Sequence, residues 1–164
     1  MSADYEEIIE GESVLRRVPA GRHEVICEAL HAAFTTALAG NTVARLLERR
    51  SVVQLAPGSW LRPDLALVTT ATGKLWLAAE IVSSLDHRWD TVIKKELYEV
   101  HALPRLWMVD PRYDNVEVYH GTPHGLSLRH IYAGRETLTE NLLSGLRLTV
   151  AELFAGPGPV AAAP

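Results

Sequence analysis

The segment LRPDLALVTTATGKLWLAAEIV, residues 61–82, decides how the chain is read. Residues 61–68 and 75–82 are apolar runs of strand length. The Thr-Thr-Ala-Thr-Gly-Lys stretch between them holds the glycine that a three-residue hairpin loop favours at its last position. The pattern predicts an antiparallel hairpin. With Ala71-Thr72-Gly73 as the loop, Thr70 faces Lys74, and counting down the ladder sets Asp64 opposite Glu80. Opposed side chains on such a pair lie roughly 5 Å apart at Cβ, and like charges there are destabilising unless something neutralises them. A hard divalent cation does so, since Mg²⁺ is commonly held by one or two carboxylates together with waters and substrate phosphates. The alternative is that one carboxylate faces solvent and the other is a satisfied polar strand end.

On either side of this hairpin the periodicity changes. Residues 22–39 carry Val25, Ile26, Ala29, Leu30, Ala33, Ala37 and Leu38 at helical intervals, stopped by Gly40-Asn41. A second helix is expected over residues 90–101, followed by a short buried strand, Arg105-Leu-Trp-Met-Val-Asp110, ended by Pro111. Residues 116–119 and 126–132 read as two more strands joined by a turn containing Gly and Pro. Helix, hairpin, helix, strand, hairpin implies an α/β fold whose mixed sheet is crossed by a helix between strands. On the second helix Asp90, Lys94 and Tyr98 share a face at steps of four. They are either an ordinary surface ion pair or a face that turns Lys94 back towards the carboxylates, where an ammonium can orient water or offset phosphate charge.

Composition sets the outer bounds. At 164 residues and 48% hydrophobic, the chain suits one domain, here residues 1–155, with the Gly/Pro-rich stretch 156–164 expected to be a disordered tail. The single cysteine, Cys27, excludes an intrachain disulfide and sits in an apolar-periodic stretch as a core residue. An acidic start without an apolar leader segment points to a cytoplasmic protein. The net charge of -4 means that any nucleic-acid binding depends on a local basic patch or on metal. The positives at Arg45, Arg49 and Arg50 and at Arg88, Lys94 and Lys95 read first as solvated surface. His87, His101, His120, His124 and His130 have no zinc-site spacing, and Trp60, Trp76, Trp89 and Trp107 read as core or interface aromatics.

Four motifs in order then carry a resemblance: Arg62-Pro63-Asp64-Leu65; Glu80-Ile81-Val82-Ser83; Asp90 with Lys94 and Tyr98; and Leu103-Pro104-Arg105-Leu106-Trp107-Met108-Val109-Asp110-Pro111. In this order and spacing the chain resembles the Uma2 family, also called DUF820. The likeness extends from Tyr5–Glu12 and His23 to Ser144-Gly145-Leu146-Arg147-Leu148 and Glu152-Leu153-Phe154. That family is similar to the PD-(D/E)XK superfamily, so the resemblance implies a restriction-endonuclease-like mixed β-sheet core flanked by helices. It further implies Asp64 and Glu80 as ligands of Mg²⁺ or Mn²⁺, and Lys94 as a catalytic lysine relocated from the position two after Glu80, which here is Val82. Tyr98, Ser83 and His23 become candidate substrate contacts, and Glu28 on the first helix a candidate third carboxylate. Ser83-Ser84-Leu85 departs from the Ser-Pro-Ser-Thr run common in relatives, which bears on the mouth of the site.

The reaction so implied is Mg²⁺-dependent hydrolysis of phosphodiester bonds in nucleic acid, with DNA the expected substrate. The acidic charge and Val82 equally suit a non-catalytic nuclease-fold module for binding or oligomerisation, a homodimer sharing the Trp107 strand or the later hairpin. Hydrolysis of a small phosphorylated substrate would use the same carboxylates.

Overall fold

The computed structural model describes residues 4–19, 21–83 and 86–156. An N-terminal hairpin, β1 (Tyr5–Ile9) and β2 (Glu12–Arg16), precedes α1 (Arg22–Ala37). Short strands β3 (Ala44–Leu46), β4 (Val53–Ala56) and β5 (Ser59–Leu61) lead to β6 (Leu65–Thr69) and β7 (Leu75–Ile81). A π-helical turn, Trp89–Lys94, runs directly into α2 (Lys95–Val100). Then come β8 (Arg105–Asp110), β9 (Asn115–Thr122), β10 (Gly125–Ala133), a single 3-10 turn at Asn141–Leu143 and α3 (Val150–Ala155).

The larger sheet has the order β10-β9-β8-β7-β6-β3, and the smaller β2-β1-β5-β4. In the larger sheet β7 and β8 run parallel while the other neighbours are antiparallel. Two parallel strands need a crossover, and the segment from Trp89 to Val100 supplies it. This is the mixed, helix-crossed sheet that the sequence pattern predicts.

The central hairpin reaches its expected register by a different route. Leu65 pairs with Ala79, Ala66 with Ala78 and Leu67 with Leu77, the pairing that brings Asp64 level with Glu80. The loop, however, is one residue longer than expected. Thr69 N–H donates to the Lys74 carbonyl at 2.9 Å, which leaves residues 70–73 in the turn. Gly73 takes φ 68 there, a backbone state that costs a residue with a Cβ. Val68 then pairs with Leu75, and Trp76 bulges from β7 before the next pair. One extra residue in the turn and one in the bulge cancel.

The run at residues 61–68, expected as one strand, is two. Leu61 ends β5 in the small sheet and Leu65 opens β6 in the large one. Pro63 has no N–H to offer a ladder, and a chain that must change sheets does so where a ladder bond is already missing. Asp64 therefore sits at the junction of the two sheets. β1 and β2 are not announced by clean alternation, because Glu6, Glu7, Glu12 and Ser13 interrupt their apolar residues.

The larger sheet is covered on one face by α1 and α3. Ile26, Cys27, Leu30 and Phe34 of α1 pack there on Leu65, Leu67, Leu77, Ala79, Ile81 and Trp107, with Phe34 edge-on to the Trp107 ring at 5.3 Å. On the opposite face Ala66, Ala78, Val82, Leu106 and Met108 meet Leu97, Tyr98 and Leu103. Trp107 is fully buried on a strand flanked by β7 and β9, so the Trp107 strand cannot be a surface shared between chains. β10 forms the sheet edge and exposes Leu128 and Ile131. The expected C-terminal tail lies, from residue 157 on, outside the described residues. Among the described residues no helix is long and apolar enough to cross a membrane.

β9 passes close under the loop before β8. The Gly121 N–H donates to the Pro104 carbonyl at 2.9 Å, and a Cβ built on Gly121 would stand 2.4 Å from the Leu103 carbonyl oxygen. That obstacle is backbone, which cannot rotate aside. Gly121→Ala is expected to lower stability by about 1–3 kcal/mol, read as a fall in the urea midpoint at unchanged slope. An unchanged midpoint would contradict this close approach.

Candidate active site

The residues converging on Glu80 come from three parts of the fold. Alternation along β7 turns Glu80, with Ala78 and Val82, towards the crossover helix. The π-helical turn buries both Asp90 and Lys94, and α2 continues the same face to Tyr98. Such wider turns recur at functional sites, where they re-aim side chains that an α-helix would place otherwise. Lys94 is 1% exposed, and its Nζ donates to Glu80 Oε1 at 2.7 Å and to Glu7 Oε1 at 2.8 Å. This burial overturns the solvated-surface reading of Lys94 and of the Asp90–Lys94 pair. Asp90 pairs instead with Arg16, at 3.0 Å.

Glu7 and Arg16, neither of them evident as site residues in the sequence, are the N-terminal hairpin's contribution. Glu7 is fully buried. Its Oε1 also accepts the Arg62 backbone N–H at 2.8 Å, and its Oε2 accepts Arg16 Nη1 at 2.9 Å. Arg16 Nε reaches Asp86 Oδ2 at 3.1 Å, so one guanidinium joins three carboxylates. A signal for Glu7 does exist in the sequence: on β1 it shares a face with Tyr5 and Ile9, an acid on an otherwise apolar face.

Asp64 closes the other side. Its Oδ2 accepts the Ile81 N–H at 2.8 Å and its Oδ1 accepts Arg50 Nε at 3.1 Å. His23, a candidate substrate contact in the sequence, is buried. Its Nε2 lies 2.8 Å from the Ile81 carbonyl and 3.4 Å from Asp64 Oδ2. A carbonyl only accepts, so Nε2 carries a proton, while the buried Nδ1 has no hydrogen-bond partner among the described residues and lies 3.4 Å from Glu24 Oε1. Glu24, one turn before Glu28, holds Arg50 through both its oxygens. Glu28 itself points outward, with a 66% exposed side chain against Arg49, and is not a third carboxylate of the site.

Of the candidate substrate contacts, Tyr98 has no exposed surface, and its hydroxyl donates to Glu80 Oε1 at 2.6 Å. His23 is nearly as enclosed. Ser83 is half-buried and its N–H donates to Asp90 Oδ2 at 3.1 Å. Ser84 and Leu85, the departure at the mouth, lie outside the described residues.

Electrostatics separates the two carboxylates. Burial opposes ionisation of Asp64, but the His23 hydrogen bond and charge, Arg50 and the Ile81 N–H outweigh it and hold the carboxyl below its usual range. At Glu80 burial prevails over Lys94, and Asp90, Asp64 and Glu7 add to it, pushing the carboxyl up to about 8. Lys94, despite burial, is held well above its ordinary value by Glu80 and Glu7 and stays charged. Two neighbouring acids with pKa values driven apart are a pattern common to reactive sites.

The donor set suits a hard cation. Asp64 and Glu80, level on the hairpin, offer carboxylate oxygens of the kind a hard cation takes. Among the described residues no group of three or more His, Cys, Asp or Glu side chains is arranged to hold a metal. Two carboxylates with waters are nonetheless a common holding for Mg²⁺.

A family model described as "Putative restriction endonuclease", Uma2, matches residues 2–151. The chain belongs to the Uma2 family. A solved structure from Anabaena variabilis ATCC 29413, described as a putative nuclease belonging to DUF820, superposes on this Uma2 chain with a TM-score of 0.74 at 17% identity. The match covers 92% of this chain and 89% of that one, and it shows the fold to be the nuclease fold that the resemblance implied. No curated protein matches the chain.

The raised Glu80 has a measurable consequence for this Uma2 protein. Its folded pKa, about 8, exceeds the ordinary 4.5, so between those values the folded chain keeps a proton that the unfolded chain has released. Glu80's contribution to stability is complete below 4.5 and is lost as pH rises through about 8. Glu80→Gln, neutral at every pH, is expected to gain on the wild type across that window at up to about 1.4 kcal/mol per pH unit. Urea titrations of both proteins along a pH series measure it, and parallel profiles would refute the assignment.

Proposed function

We propose that the chain is a metal-dependent endonuclease that hydrolyses phosphodiester bonds of nucleic acid, with DNA as substrate and Mg²⁺ or Mn²⁺ as cofactor. The observation that carries this reading is the Lys94 ammonium, buried and charged, hydrogen-bonded to Glu80 on the hairpin that brings Asp64 level with it. Val82, at the position where the superfamily commonly has its lysine, is packed among apolar residues. Lys94 brings an amine to the same carboxylate from the crossover helix.

Asp64 and Glu80 would hold the metal. A divalent ion held there would supply Lewis acidity towards a water and positive charge towards the phosphodiester. Lys94, fixed between Glu7 and Glu80, offsets phosphate charge and orients the attacking water by donating to it. Tyr98 fixes the Glu80 carboxylate through its hydroxyl, and Arg16 fixes Glu7, so neither need reorganise when a substrate arrives. His23 holds the Ile81 carbonyl beside Asp64. The net charge of -4 repels a polyanion at long range, so the attraction has to come from basic side chains local to the site.

The test is Mn²⁺ binding by calorimetry, with plasmid and single-stranded DNA cleavage assayed on the same samples of wild type, Asp64→Ala and Glu80→Ala. Metal binding and cleavage are expected to disappear together, with at least about a hundredfold loss of rate and an unchanged circular dichroism spectrum. Full cleavage by folded Asp64→Ala would refute the assignment.

A further inference from the structure

Charge bookkeeping around the site points to one residue whose role the proposed reaction leaves open. The buried carboxylates Glu7, Asp64, Glu80 and Asp90 face three permanent cations, Arg16, Lys94 and Arg50. The half-buried Asp86 and Glu24 add further negative charge on Arg16 and Arg50. A dication at Asp64 would meet the Arg50 guanidinium at close range, in a region that screens charge poorly.

The three cations differ in their freedom to leave. Arg16 is tied to three carboxylates, and its side chain is 4% exposed. Lys94 is enclosed between two glutamates. Arg50 is bound to the site through one atom: its Nε meets Asp64 Oδ1 at 3.1 Å, while its terminal nitrogens reach outward to both oxygens of Glu24, and the side chain is 14% exposed. Its backbone is held separately. Arg50 has φ 57, a left-handed state uncommon for a residue with a Cβ, its N–H donates to the Asp64 carbonyl at 3.3 Å, and its own carbonyl accepts from Arg62 Nη1 at 3.2 Å. The guanidinium can thus leave Asp64 for Glu24 while the main chain stays in place.

We propose that Arg50 is the resident counter-cation of Asp64, occupying one of its carboxylate oxygens until a divalent ion displaces it onto Glu24, and that this competition sets the metal affinity of the site. The inference rests on Asp64 and Glu80 being the metal ligands. Arg50 is a positioning residue: it acts on the metal through Asp64 and through its own retreat.

The experiment is Mn²⁺ calorimetry on the full chain as wild type, Arg50→Gln and Arg49→Gln, with circular dichroism on each. Both substitutions remove one positive charge at adjacent positions, but Arg49 touches Glu24 and Glu28 and not Asp64. Arg50→Gln is expected to bind Mn²⁺ about tenfold tighter, and Arg49→Gln within about twofold of the wild type. Should Arg50→Gln fail to fold, Arg50→Lys keeps the charge but cannot span Asp64 and Glu24 together, and its affinity is expected between those of the wild type and a protein lacking the clamp. If the Arg50 variant that folds binds no tighter than Arg49→Gln while the wild type binds Mn²⁺, the proposal is overturned and the metal site stands. If neither the wild type nor any variant binds Mn²⁺, the metal site itself is overturned, and the proposal with it.

Discussion

One ammonium group holds the architecture of the site together. Taking a lysine out of water costs several kcal/mol unless close, well-directed partners replace the lost hydration, and Lys94 finds them only where three pieces of chain meet. Glu7 comes from the N-terminal hairpin, Glu80 from the middle of the large sheet, and Lys94 from the crossover. The small sheet adds Val53 and Leu61 to the apolar cluster it shares with the large one. Arg16, reaching from β2 to Glu7, Asp86 and Asp90, extends the same network to the turn before the crossover helix. Ion pairs at a junction of this kind fix position more than they add stability, since well-packed apolar replacements of similar volume are often as stable.

The polarity of the site follows from that arrangement. Burial and the neighbouring acids push Glu80 up, while His23, Arg50 and the Ile81 N–H hold Asp64 down, although the hairpin sets the two side by side. Asp64 stands where the chain passes between sheets, and this lets a helix residue, His23, and a turn residue, Arg50, reach it. Glu80 lies next to the end of the unbroken β7 and is reached from the crossover by Lys94 and Tyr98. A break in a strand and a continuous strand thus give two carboxylates of the same hairpin different environments.

Much of this layout was legible in the residue pattern. The hairpin, the first helix, the crossover and the last three strands follow from periodicity, because each buries a regular apolar face. The Asp64–Glu80 juxtaposition was legible too, although through a loop one residue too short, and only because Trp76 bulges does the count come out right. The burial of Lys94 was not legible, since an acid and a base four residues apart look the same on a wet helix as on one pressed against a sheet. Nor was the break at Pro63, where apolar residues on both sides conceal a change of sheet. Glu7 was missed because an acid in a short, acid-rich strand reads as solvent-facing until its partner is known, and that partner lies far along the chain.

That separation bears on the order in which the molecule can be made. The β1–β2 hairpin precedes the crossover in the chain, so Glu7 and Arg16, paired with each other, lack their further partners Lys94 and Asp90 until synthesis has passed Lys94. Loop-closure entropy must be overcome across the whole intervening segment before the first of these contacts forms. During synthesis the hairpin can pair with β5 early, but its ion pairs to Lys94 and Asp90 report that the crossover has been reached. A chain halted before that point holds the hairpin without its buried charge network, so assembly of the network marks that the crossover has been made.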